Sequence, residues 1–493
     1  MIKNKLHLYA GAACILIALG ACKSIDIPQK EENKNVPESY GTDTANDSIN
    51  TAKLTWDHFF TDPNLQSLIQ TALQNNQELN ITLQEVEISK NEIRAKKGEY
   101  LPSLGVKAGV GMDKVSRYTN IGAMEATTDI KPGKEMPDPL FDMGVGAYAN
   151  WETDIWGKLH NAKRAQVQRY LGTIEGRNFM VTNIIGEIAD AYYELLALDN
   201  ELQIVQDNIK IQSDALNVVK LLKQSARSNE LAVKRFEAQV LKTKSMQYDI
   251  QQEIVEAENR INFLVGRYPQ HVERSKDSFD NLVPQAVYAG LPSDLLENRP
   301  DIKSAEYELA ATKLDIKSAK ARFYPSVGIS AGIGYQAFDP GYLVNPKSLL
   351  YNLVGDLVAP VLNRNAIKAA YYNANAKQIQ AVYHYEQSIL NAYIEVANQL
   401  AKIKNLQGSY DLKSQEVDAL VKSIGISNDL FKYARADYME VLLTQRDALE
   451  AKFELVETKV NQLKTTVAVY KALGGGWDQQ PLVNPDTKKD TNK

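Results

Sequence analysis

Four stretches of the chain alternate apolar and polar residues with a period of two. In Ser103–Asp113, Leu104, Val106, Ala108, Val110 and Met112 fall on one side, against Ser103, Gly105, Lys107, Gly109, Gly111 and Asp113 on the other. In Phe141–Glu152 the apolar set is Phe141, Met143, Val145, Ala147, Ala149 and Trp151. Ser326–Phe338 repeats the pattern through Val327, Ile329, Ala331, Ile333 and Tyr335, and Leu349–Ala359 follows it more weakly, with Val354 and Val358 on the polar side. Side chains alternate across a strand, so each stretch predicts a strand with one apolar and one polar face. Roughly ten residues suffice for a tilted strand to cross a bilayer. Small residues gather on the polar face, and Tyr100, Trp151, Phe323 and Tyr324 lie near one end with Tyr335 and Phe338 near the other. This favours a lumen face and interfacial aromatic belts over the alternative, a soluble sandwich with one buried face.

The remaining pattern is helical. Ile184, Ile188, Ala191, Leu195, Leu198, Leu202, Val205 and Ile209 follow a heptad seam, and Ile389, Ala392, Val396, Gln399, Ile403, Leu406 and Tyr410 form a second with one polar lapse. No proline occurs between Pro139 and Pro269 or between Pro360 and Pro481. Residues 157–222 and 366–432 are therefore expected as near-continuous helices, about 100 Å long at 1.5 Å per residue. Ala, Gln and Asn on their flanks suit a wall of neighbouring helices better than a lone coiled coil.

The chain also repeats itself. Tyr100-Leu-Pro-Ser-Leu-Gly-Val-Lys-Ala-Gly-Val-Gly111 parallels Phe323-Tyr-Pro-Ser-Val-Gly-Ile-Ser-Ala-Gly-Ile-Gly334, and Ser225-Ala-Arg-Ser-Asn-Glu-Leu231 parallels Tyr433-Ala-Arg-Ala-Asp-Tyr-Met439. Each half reads as helix, β-hairpin, long helices. Two strands per half cannot close a barrel, and four per chain still leave edges. Twelve strands from three chains would leave none.

Composition changes the picture at the N-terminus. The 493 residues carry a net charge of −5, 44% hydrophobic and 24% charged residues, and a mean hydropathy of −0.34. These figures oppose disorder, and the charge gives no footprint for nucleic acid. Yet Lys3 and Lys5 precede the uncharged run Leu8–Leu19, and Leu19-Gly20-Ala21-Cys22 follows. Basic region, short apolar core and small residues before a cysteine resemble a bacterial lipoprotein signal, with Cys22 as the lipid attachment site. Cys14 would leave with the signal and the net charge would move from −5 to −7. Lys23 rather than Asp follows the cysteine, which favours the outer membrane. Residues after it, to about 52, read as a polar tether that needs no core.

Enzyme signatures are missing. His7, His58, His160, His271 and His384 are scattered, and Gly109-Val-Gly111, Gly332-Ile-Gly334 and Gly474-Gly-Gly476 lead into no phosphate-loop lysine. Neither a cofactor nor a metal site is expected.

The motifs resemble the TolC-like outer-membrane efflux protein family, in its lipoprotein branch. The most specific stretch is Leu291-Pro-Ser-Asp-Leu-Leu-Glu-Asn-Arg299-Pro300-Asp301-Ile302, continuing through Ala305, Glu306 and Ala319 to Phe323-Tyr324-Pro325-Ser326. Trp56-Asp57 to Pro63-Asn-Leu65, Trp151-Glu-Thr-Asp154-Ile-Trp-Gly157-Lys158 and Asp437-Tyr-Met-Glu440-Val-Leu442 with Gln445-Arg446 support it. The resemblance spans about 53–477. It implies an α+β membrane channel: a homotrimer whose 12-stranded transmembrane β-barrel continues into a 12-helix periplasmic α-barrel, closed at its far end by an iris of helix tips. Partners implied are a periplasmic adaptor (membrane fusion) protein, an inner-membrane RND-type pump and outer-membrane lipid. The expected organisation is signal 1–21, lipidated linker 22–52, first repeat 53–283 (hairpin about 101–153, helices about 157–266), second repeat 284–477 (hairpin about 323–361, helices about 363–473) and polar tail 478–493.

The tips fall at Ala226 and Ala434, where relatives usually carry the glycine that a positive φ favours. Asp437 and Glu440 lie just beyond. Three-fold symmetry would make each a carboxylate ring, a cation-attracting gate, with Arg227, Arg235 and Arg435 as candidate partners. The function expected is an exit duct for drugs, dyes, detergents or bile salts. Alternatives are a heavy-metal or protein-secretion duct, or a lipid-anchored coiled coil that conducts nothing.

Overall fold

The computed structural model of the chain describes residues 27–41, 50–274, 279, 281–360, 362, 364–433 and 435–477. The expected signal segment, Cys22, Ala434 and the tail 478–493 lie outside the described residues. The chain divides into two compact units, one of residues 1–32, 87–172 and 306–383, the other of 33–86, 173–305 and 384–493.

The first unit is organised by a four-stranded antiparallel sheet of β1 (Ser103–Asp113), β2 (Leu140–Glu152), β3 (Ser326–Ala337) and β4 (Leu349–Val358), in that spatial order. Its register keeps the two faces apart. Val106 sits opposite Ala147, Ala147 opposite Ile333 and Ile333 opposite Tyr351, while Ser103, Asn150, Ser330 and Val354 form a row on the other face. A slip of one residue would exchange the faces, so the alternation itself fixes the pairing. Leu104, Val106 and Val110 remain exposed, as do Leu353 and Leu357. Among the described residues, β1 and β4 each have a strand partner on one side only.

The β1–β2 connection carries a short helix α1 (Asn120–Thr127) and a small hairpin, Asp129–Lys131 with Lys134–Glu135. The β3–β4 connection is shorter, and its Tyr342 ring lies under Lys131 and Lys134 at 5.1 and 5.5 Å.

Where the strands end, Phe323 does not join an aromatic belt, as the sequence suggested. It is 1% exposed and packs with Ile316, Ala319 and Tyr371, with the Arg364 guanidinium 5.0 Å above its ring. It closes the last turn of helix α2 (Pro300–Ala321) through Phe323 N–H donating to Lys320 O, which turns the ring inward. Tyr324 keeps the belt position, stacked at 4.9 Å on Trp156.

The second unit is helical. Helix α3 (Pro63–Asn75) starts on Asp62, whose carboxylate accepts from Asn64 N–H and Leu65 N–H with Pro63 at the first position. Tyr192 Oη donates to the other oxygen of the same carboxylate at 2.8 Å. The long helices α4 (Lys158–Gln224) and α5 (Asn365–Lys432) extend through both units. Helices α6 (Glu230–Leu264) and α7 (Tyr438–Ala472) belong to the second. Its core joins Ile184, Ile188, Leu195 and Tyr192 of α4 to Val456, Val460, Leu463 and Tyr470 of α7, with Phe59, Phe60, Leu65 and Ile69. Phe59 stacks on Tyr470 with centroids 4.0 Å apart. The first heptad seam is thus buried at Ile184, Ile188, Ala191, Leu195 and Val205 and half-buried at Leu198 and Leu202. The second is buried at Ile389, Ala392 and Val396 and half-buried from Ile403 onward.

Residues 27–41 are packed rather than a free tether. In the first unit Ile27 joins the Phe323 cluster, Gln378 Nε2 donates to Lys30 O at 2.8 Å, and Glu32 pairs with Lys313. In the second, Asn33 N–H donates to Glu386 Oε1 and Tyr40 stacks on Tyr393 at 5.4 Å.

Candidate functional site

The concave side of the sheet is built by glycine. Gly105, Gly109, Gly111, Gly144, Gly146, Gly328, Gly332 and Gly334 alternate with the apolar residues of the opposite face. Gly146 and Gly334 face each other so closely that a Cβ on Gly334 would stand 2.5 Å from Val145 O. Backbone contact excludes a side chain at Gly146 and Gly334, whereas Gly109, Gly111, Gly144 and Gly328 meet nothing closer than 3.7 Å and leave this face open. The room left is taken by Tyr148, whose ring lies over Gly105, and by Asn352 over Gly332. Gln336 Nε2 donates to Asp142 Oδ1 at 2.7 Å across strands.

The strand-to-helix turn at the base is set by Asp154. It takes φ 44°, and its carboxylate caps α4 by accepting from Leu159 N–H and His160 N–H, each at 2.8 Å. Lys158 pairs with Glu152 at 2.5 Å and Trp156 Nε1 donates to Pro325 O at 2.6 Å. The Trp151–Lys158 motif is therefore a joint between strand and helix.

At the other end of α4, Ala226 has φ 58°. Arg227 N–H donates to Leu222 O at 2.8 Å and Ala226 N–H to Lys223 O at 3.0 Å, the paired bonds of a Schellman cap. The left-handed turn expected of glycine is made by alanine. Helix α6 then starts on Asn229, whose side chain accepts from Ala232 N–H, and Lys223 pairs with Glu230 across the turn. In the second half Arg435 N–H likewise donates to Leu430 O at 2.8 Å. Asp437 occupies the N-cap of α7 but makes no side-chain capping bond, and Glu440 sits in its first turn. Under this tip Leu216, Val219, Val233, Phe236 and Val441 form a small core.

Asp437, Glu440, Arg227, Arg235 and Arg435 are all exposed. Arg227 reaches across to donate to Lys432 O at 3.3 Å, so it bridges the two tips through backbone. Among the described residues no ion pair joins Arg227, Arg235 or Arg435 to Asp437 or Glu440. The carboxylates present bare charge within one protomer.

Sequence reasoning missed the buried charges of the second unit. Arg299, 6% exposed, binds Asp301 bidentately at 2.7 and 3.0 Å, Glu395 at 2.8 Å and Ala472 O at 2.7 Å. Burial alone would lower its pKa, and the two carboxylates override it upward. Its motif was visible, but Glu395 lies too far along the chain to be paired with it by spacing. Asp190 is pushed up to about 6 by burial, against the pull of Lys471, Lys464 and Arg260. Glu201 is pushed up to about 7 by burial and by Glu253 and Glu457 of α6 and α7. Among the described residues no group of His, Cys, Asp and Glu is placed to hold a metal ion, and no helix is long and apolar enough to cross a membrane.

A two-faced sheet of membrane-crossing strand length and helices of 67 and 68 residues in one chain fit an α+β outer-membrane channel. The model of the outer membrane efflux protein family matches residues 68–267 and 291–475, and the chain belongs to that family. It is a channel, not an enzyme. The cation efflux system protein CusC of Escherichia coli is 27% identical over 470 residues, covering 94% of this chain and 98% of CusC. The pyoverdine export outer membrane protein OpmQ of Pseudomonas aeruginosa is 27% identical over 477 residues, covering 96% and 98%. Among solved structures, CusC superposes with a TM-score of 0.80 at 24% identity over 92% of this chain and 99% of its own. The open state of the Neisseria gonorrhoeae MtrE outer membrane channel gives 0.80 at 22% identity over 93% and 100%.

Proposed function

We propose that the chain is the exit duct of a tripartite efflux system. It acts as a homotrimer that receives solutes from an inner-membrane RND-type pump through a periplasmic adaptor. The single observation that carries this is the sheet with a charge-free apolar face, a mostly small and polar concave face, and, among the described residues, an edge strand at each end paired on one side only. In hydrocarbon an open edge leaves several kcal/mol per backbone group unsatisfied, about enough to forbid a lone four-stranded sheet. Three copies closing edge to edge remove the penalty and enclose the glycine-lined face.

Cargo is proposed as drugs, dyes, detergents or bile salts. Relatives of near-equal identity are named for cations, pyoverdine and solvents, so likeness alone favours no cargo. The metal reading draws on CusC, and a susceptibility panel separates the two. Deletion of the gene should sensitise cells to amphiphilic drugs and bile salts and leave metal tolerance unchanged. Sensitisation to heavy-metal cations alone would replace this reading by the metal one.

Cys22 is proposed to carry the lipid after removal of residues 1–21. The name of the 23% identical SilC of Salmonella typhimurium, probable outer membrane lipoprotein, supports this. The two repeats 53–283 and 284–477 are proposed as one duplicated unit. Asp437 and Glu440 are proposed as the gate at the helix tips, since their unpaired, exposed carboxylates would repel one another across a three-fold axis. Charge reversal at both should change conductance and cation selectivity in planar bilayers, and unchanged values would remove the gate assignment.

A further inference from the structure

We infer that Lys107 sets the charge preference of the duct within the sheet and favours anionic over cationic amphiphiles in transit. This rests on the duct reading above. Lys107 is the only basic residue on the concave face among the described strand residues, and the convex face has no charge at all. It lies opposite Gly146, which in turn lies opposite Gly334, so two strands of its row supply no side chain to shield it. Its ammonium is exposed in the concave cavity that Gly144, Tyr148 and Gln336 also line. Lys107 forms no ion pair among the described residues.

The acids of this face stand apart from it, Asp113 six residues along β1, or about 20 Å. Asp142 lies opposite Gly111, four residues along β2 from the Lys107 row, or about 13 Å at the strand rise. Asp356 lies opposite Gly328, six residues along β3 from Gly334, or about 20 Å. All three separations exceed the Debye length of about 8 Å at physiological ionic strength, so the lysine is not cancelled. Glu152 is matched by Lys158, and Asp142 accepts from Gln336. Copied by a three-fold axis, Lys107 becomes a positive ring between two acidic bands. Such a ring lowers the barrier for an anionic headgroup and raises it for a cationic one.

The test has two arms that fail separately. In intact cells a membrane-impermeant thiol reagent should label Lys107→Cys and spare Val106→Cys, whose neighbouring position faces lipid. Labelling of both or of neither would remove the barrel-wall reading itself. In planar bilayers, with Asp437→Ala and Glu440→Ala reducing the fixed charge at the tip, Lys107→Glu should raise the cation-to-anion permeability ratio about two-fold or more at 0.1 M KCl. The difference should shrink at 1 M KCl, where the Debye length is about 3 Å. Lys107→Gln should fall between. A Lys107→Cys that labels while Lys107→Glu leaves the ratio unchanged at 0.1 M overturns the inference and spares the duct. In cells, Lys107→Glu should reduce export of an anionic bile salt more than of a cationic dye, and equal loss would remove the cargo preference.

Discussion

At the scale of single residues, Ala226 holds a conformation that costs an L-residue about 1 kcal/mol. The Schellman bonds around it maintain that conformation. Ala226→Gly removes most of this cost and should slow backbone hydrogen exchange at residues 225–229, with little change in the global Tm. Faster exchange would show that the turn is not strained. Glycine makes the same cap after α6 and α7, at Gly266 with φ 72° and Gly474 with φ 87°, so the alanine is a local departure within the chain itself. Arg299 is the opposite case, a charge that the fold has fully enclosed. Arg299→Met leaves the Ala472 carbonyl and the partly exposed Asp301 and Glu395 without their cation and should cost about 1–3 kcal/mol in denaturant titration. Arg299→Lys should recover little, because one ammonium cannot reproduce the bidentate pair with Asp301. The motif around Arg299 was legible in the sequence, but its task was not. That depends on Glu395 and the Ala472 carbonyl, which only folding brings near.

At the scale of elements, helices α4, α6 and α7 converge three glutamates, Glu201, Glu253 and Glu457. Folding raises the Glu201 carboxyl from its ordinary value near 4.5 to about 7, so between those pH values the folded state holds the proton more tightly than the unfolded chain. Stability from this site is therefore greatest below pH 4.5 and falls as pH rises through 7. Glu201→Gln should leave Tm unchanged at pH 4 and raise it at pH 8, as read by thermal melts across that range. The strands were the most legible elements, because period-two patterning survives any tertiary context that keeps one face apolar. Helix lengths were legible from the absence of proline. Residues 27–41 were not: beside one apolar contact at Ile27, they are held by hydrogen bonds, the Glu32–Lys313 pair and cation–π and stacking contacts with Tyr383, Tyr385 and Tyr393, which leave no periodic trace in a polar segment. Phe323 was misread for a related reason. Its aromatic character suited a membrane belt, but a helix end one turn earlier points it into the core.

At the scale of the whole molecule, the two sheet faces make opposite demands. Leu353→Arg places a guanidinium on the convex face and should cost about 2–4 kcal/mol if that position lies near the membrane midplane. The yield of SDS-resistant trimers from membranes should fall accordingly. Asn352→Arg, one residue away on the concave face, should assemble normally and alter conductance instead. Equal yields from the two variants would contradict the assignment of faces. The tip site was legible only in outline: the sequence placed Asp437 and Glu440 beside the turn, while the exposure of both and the diversion of Arg227 to a backbone carbonyl required the structure.

The unpartnered edges of β1 and β4 also bear on inheritance. When each pore takes its wall from three chains, one damaged hairpin leaves a gap that two sound subunits cannot fill. A cell expressing equal amounts of intact and edge-defective chains that mix at random would build about one-eighth of its pores wholly from intact subunits. Missense alleles in these strands should thus act dominantly over the normal gene, whereas early truncations, which never enter the assembly, should be recessive.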